Sequence, residues 1–140
     1  MDFPTPDPAA VTALAPTGAL RAAINLSNFL LVSSVTDDGT PTGVSPDMAS
    51  ALASALGVPI EFQTYPNPGD VADAAQSGEW DVGNIGAEPA RAEFIEFTEA
   101  YAEIESTYLV PARSPITSFA EADQPGVRIS AKERAAYALW

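Results

Sequence analysis

Cysteine and histidine are both missing from this 140-residue chain. The first absence removes disulfides, thiolate nucleophiles and Cys-based metal sites while leaving oxidising and reducing compartments open. The second rules out a Ser/His/Asp triad and any imidazole base or metal ligand. Cations are scarce as well: 6 Lys and Arg stand against 19 Asp and Glu, a formal net charge of −13. Phosphate contacts need clustered positive charge, so this balance speaks against nucleic acid or an anionic membrane and toward a small ligand. No apolar run approaches the roughly 18 residues of a membrane span. The first twenty residues show no basic segment followed by an apolar stretch, so no signal peptide is visible. Carboxylate pairs such as Glu103 and Glu105 have no spacing that points to catalysis. The expectation is a soluble single domain with no cofactor, no metal and no catalytic residue of its own, long enough to bury roughly two thirds of its unfolded surface.

What is present reads as an alternation of strands and helices. Residues 1–19 form a leader spaced by prolines at positions 4, 6, 8 and 16, with a short helix possible over Ala9–Ala15. This leader is expected to lie on the surface. Leu20–Leu26 reads as a buried strand, followed by an apolar loop over Asn28–Val35 and a turn at Asp37, Asp38 and Gly39. A helix follows, with Ser45 as N-cap, Pro46 in the first helical position, Met48, Leu52 and Leu56 on one face and Gly57 closing it. Pro59–Tyr65 alternates like a half-exposed strand. Asn67 and Pro68 then open a second helix, with Val71, Ala74 and Ala75 facing inward and Gly78 ending it. Trp80–Gly86 reads as a third strand, Pro89–Phe94 as one or two helical turns, and Ile95–Pro111 as strand-like with a break at Ala100–Glu103. Beyond a connector over 112–126, Val127–Ser130 looks like another strand, and a last helix begins near Ala131. That helix ends without a cap, as in a fragment. The alternation predicts an α/β fold, an open and mostly parallel sheet with helices on both faces.

Arg91 is the one basic residue between Ala22 and Ala112, a stretch that holds fourteen Asp and Glu. Gly83 and Gly86 allow close backbone approach at the end of the third strand, and the turn from Gly86 to Pro89 leads into a helix start whose N–H groups point outward. A guanidinium beside such donors can grip a carboxylate bidentately. The plain alternative is a surface ion pair with Glu88, Glu93 or Glu96. The residues alone leave both readings open.

Taken in order, LRAAIN, the segment DDGTPTGVSPDMASALASALGV, SGEWDV, then EPARAEFIEFTEAY and YLVP make the chain resemble the first lobe of type II periplasmic solute-binding proteins. The resemblance covers residue 20 to about 140 and is nearest to the amino-acid-binding group of ABC import systems. It implies that Arg91 grips the α-carboxylate of a bound amino acid, that Asn84, Ile85 and Gly86 supply the strand-end contacts, and that Asn28 or Phe29 takes the place of the family's stacking aromatic. It also implies lobe 1 over 20–111, a hinge over 112–126 and the truncated start of lobe 2 over 127–140. The ligand would be a small carboxylate-bearing solute, the partners the membrane subunits of an ABC transporter, and the location periplasmic or extracellular, with a cytoplasmic member left open by the missing signal.

Several positions depart from the family pattern. Asn28, Phe29, Leu30 and Leu31 replace its aromatic-Pro-Pro-Phe loop, and Gly86 stands where a serine or threonine often bonds the ligand. The stretch between Asp81 and Arg91 is shorter than usual. Lys132, Glu133 and Arg134 replace the Gly-Thr/Ser start of the second-lobe helix. Cyclohexadienyl dehydratases share this fold and hold a prephenate-like carboxylate with an equivalent arginine, so an enzyme of that kind is the rival expectation. A non-binding fragment is the third. The chain is further expected to self-associate or to leave its last twenty residues poorly packed.

Overall fold

Three parallel strands carry the molecule, and the first of them runs down the middle. In the computed structural model, which describes residues 3–139, β1 (Leu20–Asn25) pairs along its whole length with β4 (Ile60–Tyr65), Leu20 opposite Ile60 and Asn25 opposite Tyr65. On its other side β1 pairs with β5 (Val82–Asn84), Ala22 opposite Val82 and Ile24 opposite Asn84. Between β1 and β4 lies α2 (Val44–Leu56), and between β4 and β5 lies α3 (Pro68–Gln76). The chain thus steps from β1 to one neighbour and then back across to the other. Parallel crossovers are right-handed, so this reversal puts α2 and α3 on opposite faces of the sheet. Ligands of open α/β sheets bind beyond the carboxyl ends of the strands where the winding reverses, here the ends of β1 and β5.

The central strand is buried because both faces are covered. Leu20, Ala22, Ala23 and Ile24 are all essentially inaccessible, and Val71 of α3 joins them. Burial of a side chain such as Leu20 contributes about 1.5 to 3 kcal/mol. Leu20 meets Ala53 and Leu56 of α2, and α1 (Pro8–Leu14) adds Val11 and Leu14 to this cluster. Asp7 caps α1, its Oδ1 accepting from the Ala9 N–H at 2.8 Å, so the proline-rich leader is anchored by one short helix lying on the surface. A small hairpin of β2 (Ser34–Val35) and β3 (Pro41–Thr42) surrounds the expected turn, with Gly39 at φ 86°.

The amino end of the sheet is tied by charge. Arg21 in β1 donates from Nε and Nη2 to the Asp81 carboxylate at 3.0 and 2.6 Å, and its Nη1 donates to the Gly78 carbonyl at 2.8 Å. The backbone N–H of Arg21 also donates to Asp81, at 2.9 Å. Burial pushes the Asp81 carboxyl upward, but the Arg21 hydrogen bonds and charge outweigh it and hold the group below its ordinary pKa.

Other elements differ from their sequence expectations. α2 begins at Val44 with Gly43 in the capping place, and Ser45 lies inside the helix, 2% exposed. A side chain at Gly43 would come within 2.7 Å of the Leu31 carbonyl, so the loop after β1 leaves room only for glycine there. The buried stripe of α2 is Ser45, Ala49, Ala53 and Leu56, while Met48 faces outward. Small residues form the stripe because they let the helix approach the sheet closely. The third strand is shorter than Trp80–Gly86: Trp80 turns its ring over Gly83 and donates from Nε1 to the Val71 carbonyl at 2.9 Å. Residues 95–111 and 127–130 form no strand, since neither segment finds a ladder partner among the described residues. Two four-residue helices, α5 (Phe119–Ala122) and α6 (Ala136–Leu139), complete the described elements after α4 (Pro89–Ala92). The last helix therefore starts later than Ala131, because Arg134 takes a left-handed backbone, φ 57°, just before it.

Candidate functional site

From the end of β5 the chain runs through Ile85, Gly86 and Ala87 to Glu88, which caps α4. The Glu88 carboxylate accepts from the backbone N–H of Ala90 and of Arg91, both at 2.9 Å. The helix start expected to be open to an anion is therefore filled by the chain's own carboxylate. Glu88 and Arg91 are each 3% exposed. Their side chains meet through Arg91 Nε and Glu88 Oε1 at 3.3 Å, so Glu88, of the three glutamates weighed as partners, is the one that pairs, and it does so in the interior.

The ends of the Arg91 guanidinium have different company. Nη1 donates to the Gly86 carbonyl and Nη2 to the Arg134 carbonyl, each at 2.8 Å. Both acceptors are neutral. A guanidinium carries five N–H donors, and two of those on Arg91 have no protein acceptor among the described residues. Burial lowers the Arg91 pKa, the Glu88 carboxylate raises it and the nearby Arg134 cation lowers it further. Arginine titrates so far above neutrality that the group stays charged. Beside it opens a cavity of about 220 Å³, lined by Gly69, Ala72 and Asp73 of α3, by Glu88 and Phe94, and by Arg134.

Of the residues selected from sequence, Arg91 and Gly86 are in direct contact, with Ile85 half-buried next to Gly86. Asn84 ends β5 and donates from Nδ2 to the Ser45 carbonyl at 2.7 Å. Asn28 lies past the end of β1, where its carbonyl accepts from Leu31 and Val32, and Phe29 is 82% exposed. Neither Asn28 nor Phe29 lines the cavity beside Arg91.

Two features lay outside the sequence reading. Ser45, weighed only as a cap, is held through Oγ by the Tyr101 hydroxyl at 3.0 Å, so Ser45, Asn84 and Tyr101 form a polar cluster by the end of β5. Arg134, seen as a departure in a distant segment, reaches α3 and hydrogen-bonds Asp73 with both terminal nitrogens, one of them at 2.9 Å. The Arg134 hydrogen bonds hold the Asp73 carboxyl below its ordinary pKa.

Compared with known proteins, residues 22–136 match the family of bacterial extracellular solute-binding proteins, family 3. The chain belongs to this family. It is 33% identical over 70 residues to the membrane-bound lytic murein transglycosylase F of Maricaulis maris, a stretch covering 49% of this chain and 15% of that protein. It also superimposes on the crystal structure of an ancestral cyclohexadienyl dehydratase with a TM-score of 0.56 at 24% identity, over 66% of this chain and 38% of the other. That likeness establishes the type II periplasmic-binding fold, with its open parallel sheet. This chain thus spans well under half the length of either protein. Among the described residues no helix is long and apolar enough to cross a membrane.

Proposed function

We propose that this family 3 domain is the first lobe of a two-lobe clamp that binds a small carboxylate-bearing solute, an amino acid, with Arg91 as the carboxylate anchor. The observation that carries this reading is the company of Arg91: a buried guanidinium at the carboxyl end of a parallel sheet, whose terminal nitrogens rest on two carbonyls rather than on a carboxylate. A carboxylate brings a full opposite charge and two oxygens that match the guanidinium fork, where a carbonyl brings only a dipole and one oxygen. A carboxylate therefore outcompetes a carbonyl for this group. Glu88 does not take that place, because it meets Nε alone and is committed to capping α4.

The lobe then works as the binding component of an import system, delivering its solute to membrane subunits outside the cytoplasm. The second lobe follows a hinge over 112–126, and closure is what the partner reads. A dehydratase remains the rival, and its acid–base group would belong to the second lobe. The test is thermal unfolding and calorimetry with each of the twenty amino acids, on the wild type and on Arg91→Ala. Stabilisation of the wild type that disappears in the variant is the expected result. Equal stabilisation of both proteins would sink the anchor assignment, and turnover of a cyclohexadienyl substrate would favour the enzyme.

A further inference from the structure

The second acceptor on the Arg91 guanidinium comes from 43 residues further along the chain, and the segment that brings it there is fitted closely to its seat. Arg134 adopts a left-handed backbone that residues with a side chain rarely take, which turns its carbonyl onto Arg91 Nη2 at 2.8 Å. Its side chain turns the other way, to the Asp73 carboxylate and to the Gly69 carbonyl at 3.1 Å. A side chain at Gly69 would come within 2.7 Å of the Arg134 guanidinium, and one at Gly86 within 3.0 Å of the Ala136 methyl. Ala135 between them is 4% exposed. Two glycines and one acid of the lobe thus fit a single short piece of chain.

We propose that residues 132–136 are an internal strap that occupies the anion position of Arg91, the Arg134 carbonyl standing where one oxygen of a bound carboxylate belongs. The inference rests on Arg91 being the carboxylate anchor. The strap's own hold is built to release. The Arg134 and Asp73 side chains are 46% and 61% exposed, and ion pairs so open to water are weak and screened by salt. What the strap gives Arg91 is a neutral oxygen, and a solute carboxylate gives a charged one. Binding then requires the strap to leave, and apparent affinity falls by the fraction of molecules in which it is seated.

The strap can be loosened without touching the anchor. Asp73→Asn removes the ion pair and Arg134→Ala removes the side-chain hydrogen bonds of Arg134 to Asp73 and Gly69, while Arg91, Glu88 and Gly86 stay as they are. The probe is an equimolar mixture of the twenty amino acids, followed on the whole chain by thermal unfolding and by hydrogen exchange of residues 131–139. In the wild type the mixture is expected to raise exchange in 132–136 while stabilising the sheet. Asp73→Asn is expected to lower the concentration needed by about two- to five-fold, the size of one exposed ion pair. Stabilisation that depends on Arg91, with exchange in 132–136 unchanged or reduced, would overturn the strap and leave the anchor standing, since the segment would then be closing on the solute. No Arg91-dependent stabilisation in the wild type or in either loosened variant would overturn both. Should Arg134→Ala fail to fold, Asp73→Asn decides alone, because it alters only an exposed carboxylate.

Discussion

Each end of the parallel sheet holds one arginine, and the two are satisfied in opposite ways. At the amino end Arg21 meets Asp81 through Nε and Nη2, and the remaining terminal nitrogen rests on Gly78. At the carboxyl end Arg91 is more deeply buried, touches a carboxylate only through Nε, and places both terminal nitrogens on carbonyls. In the first arrangement the flat fork of the guanidinium is matched by a carboxylate, and its product is a fixed register between β1 and the start of β5. The second has no carboxylate on its terminal nitrogens, at the place where open α/β sheets bind their ligands. Residue type and charge are the same at both ends, so what separates the tie from the proposed anchor is the acceptor on the terminal nitrogens.

If the amino end serves stability and the carboxyl end serves binding, changes at the two ends separate in what they alter. The largest effect on stability is expected from Leu20→Ala at the start of β1, about 2 to 5 kcal/mol in urea unfolding, with the solute affinity of the folded protein unchanged. Asp81→Asn follows, at about 1 to 2 kcal/mol, in the lower part of the range for charged hydrogen bonds because Arg21 lies nearer the surface. The folded carboxyl of Asp81 has a depressed pKa, so its contribution is fully present above the unfolded carboxylate value of about 3.9 and is lost as pH falls through the lower folded value. The stability gap between wild type and Asp81→Asn therefore closes in acid, and a gap that stays constant to pH 2 would break the comparison. The smallest effect belongs to Asp73→Asn, whose global unfolding transition should coincide with that of the wild type.

Much of this fold was legible locally. The Gly57 cap, the Asn67–Pro68 helix start and the turn closed by Gly39 are fixed by backbone preferences of single residues, and all three appear where the sequence places them. The buried stripe of α2 was less legible, because apolarity drew attention to Met48 while contact with the sheet selected alanine and serine. Strand-like patterns at 95–111 and 127–130 carried alternation without a partner, and a strand exists only where a neighbour completes its hydrogen bonds. At the site, charge isolation marked Arg91 and backbone freedom marked Gly86. The company of Arg91 was only half visible: Glu88 lies three residues away, but Arg134 and Asp73 meet across 61 residues, which no local pattern encodes.

The central claim is that Arg91, and not Arg21, exchanges carbonyl partners on its terminal nitrogens for a solute carboxylate. Side-chain nitrogen NMR of the arginine guanidinium groups reads this directly, during titration with the amino acid that stabilises the protein most. The account predicts that the Arg91 Nη resonances shift in proportion to occupancy while those of Arg21 stay fixed. Saturable binding with the Arg91 signals unmoved would contradict it.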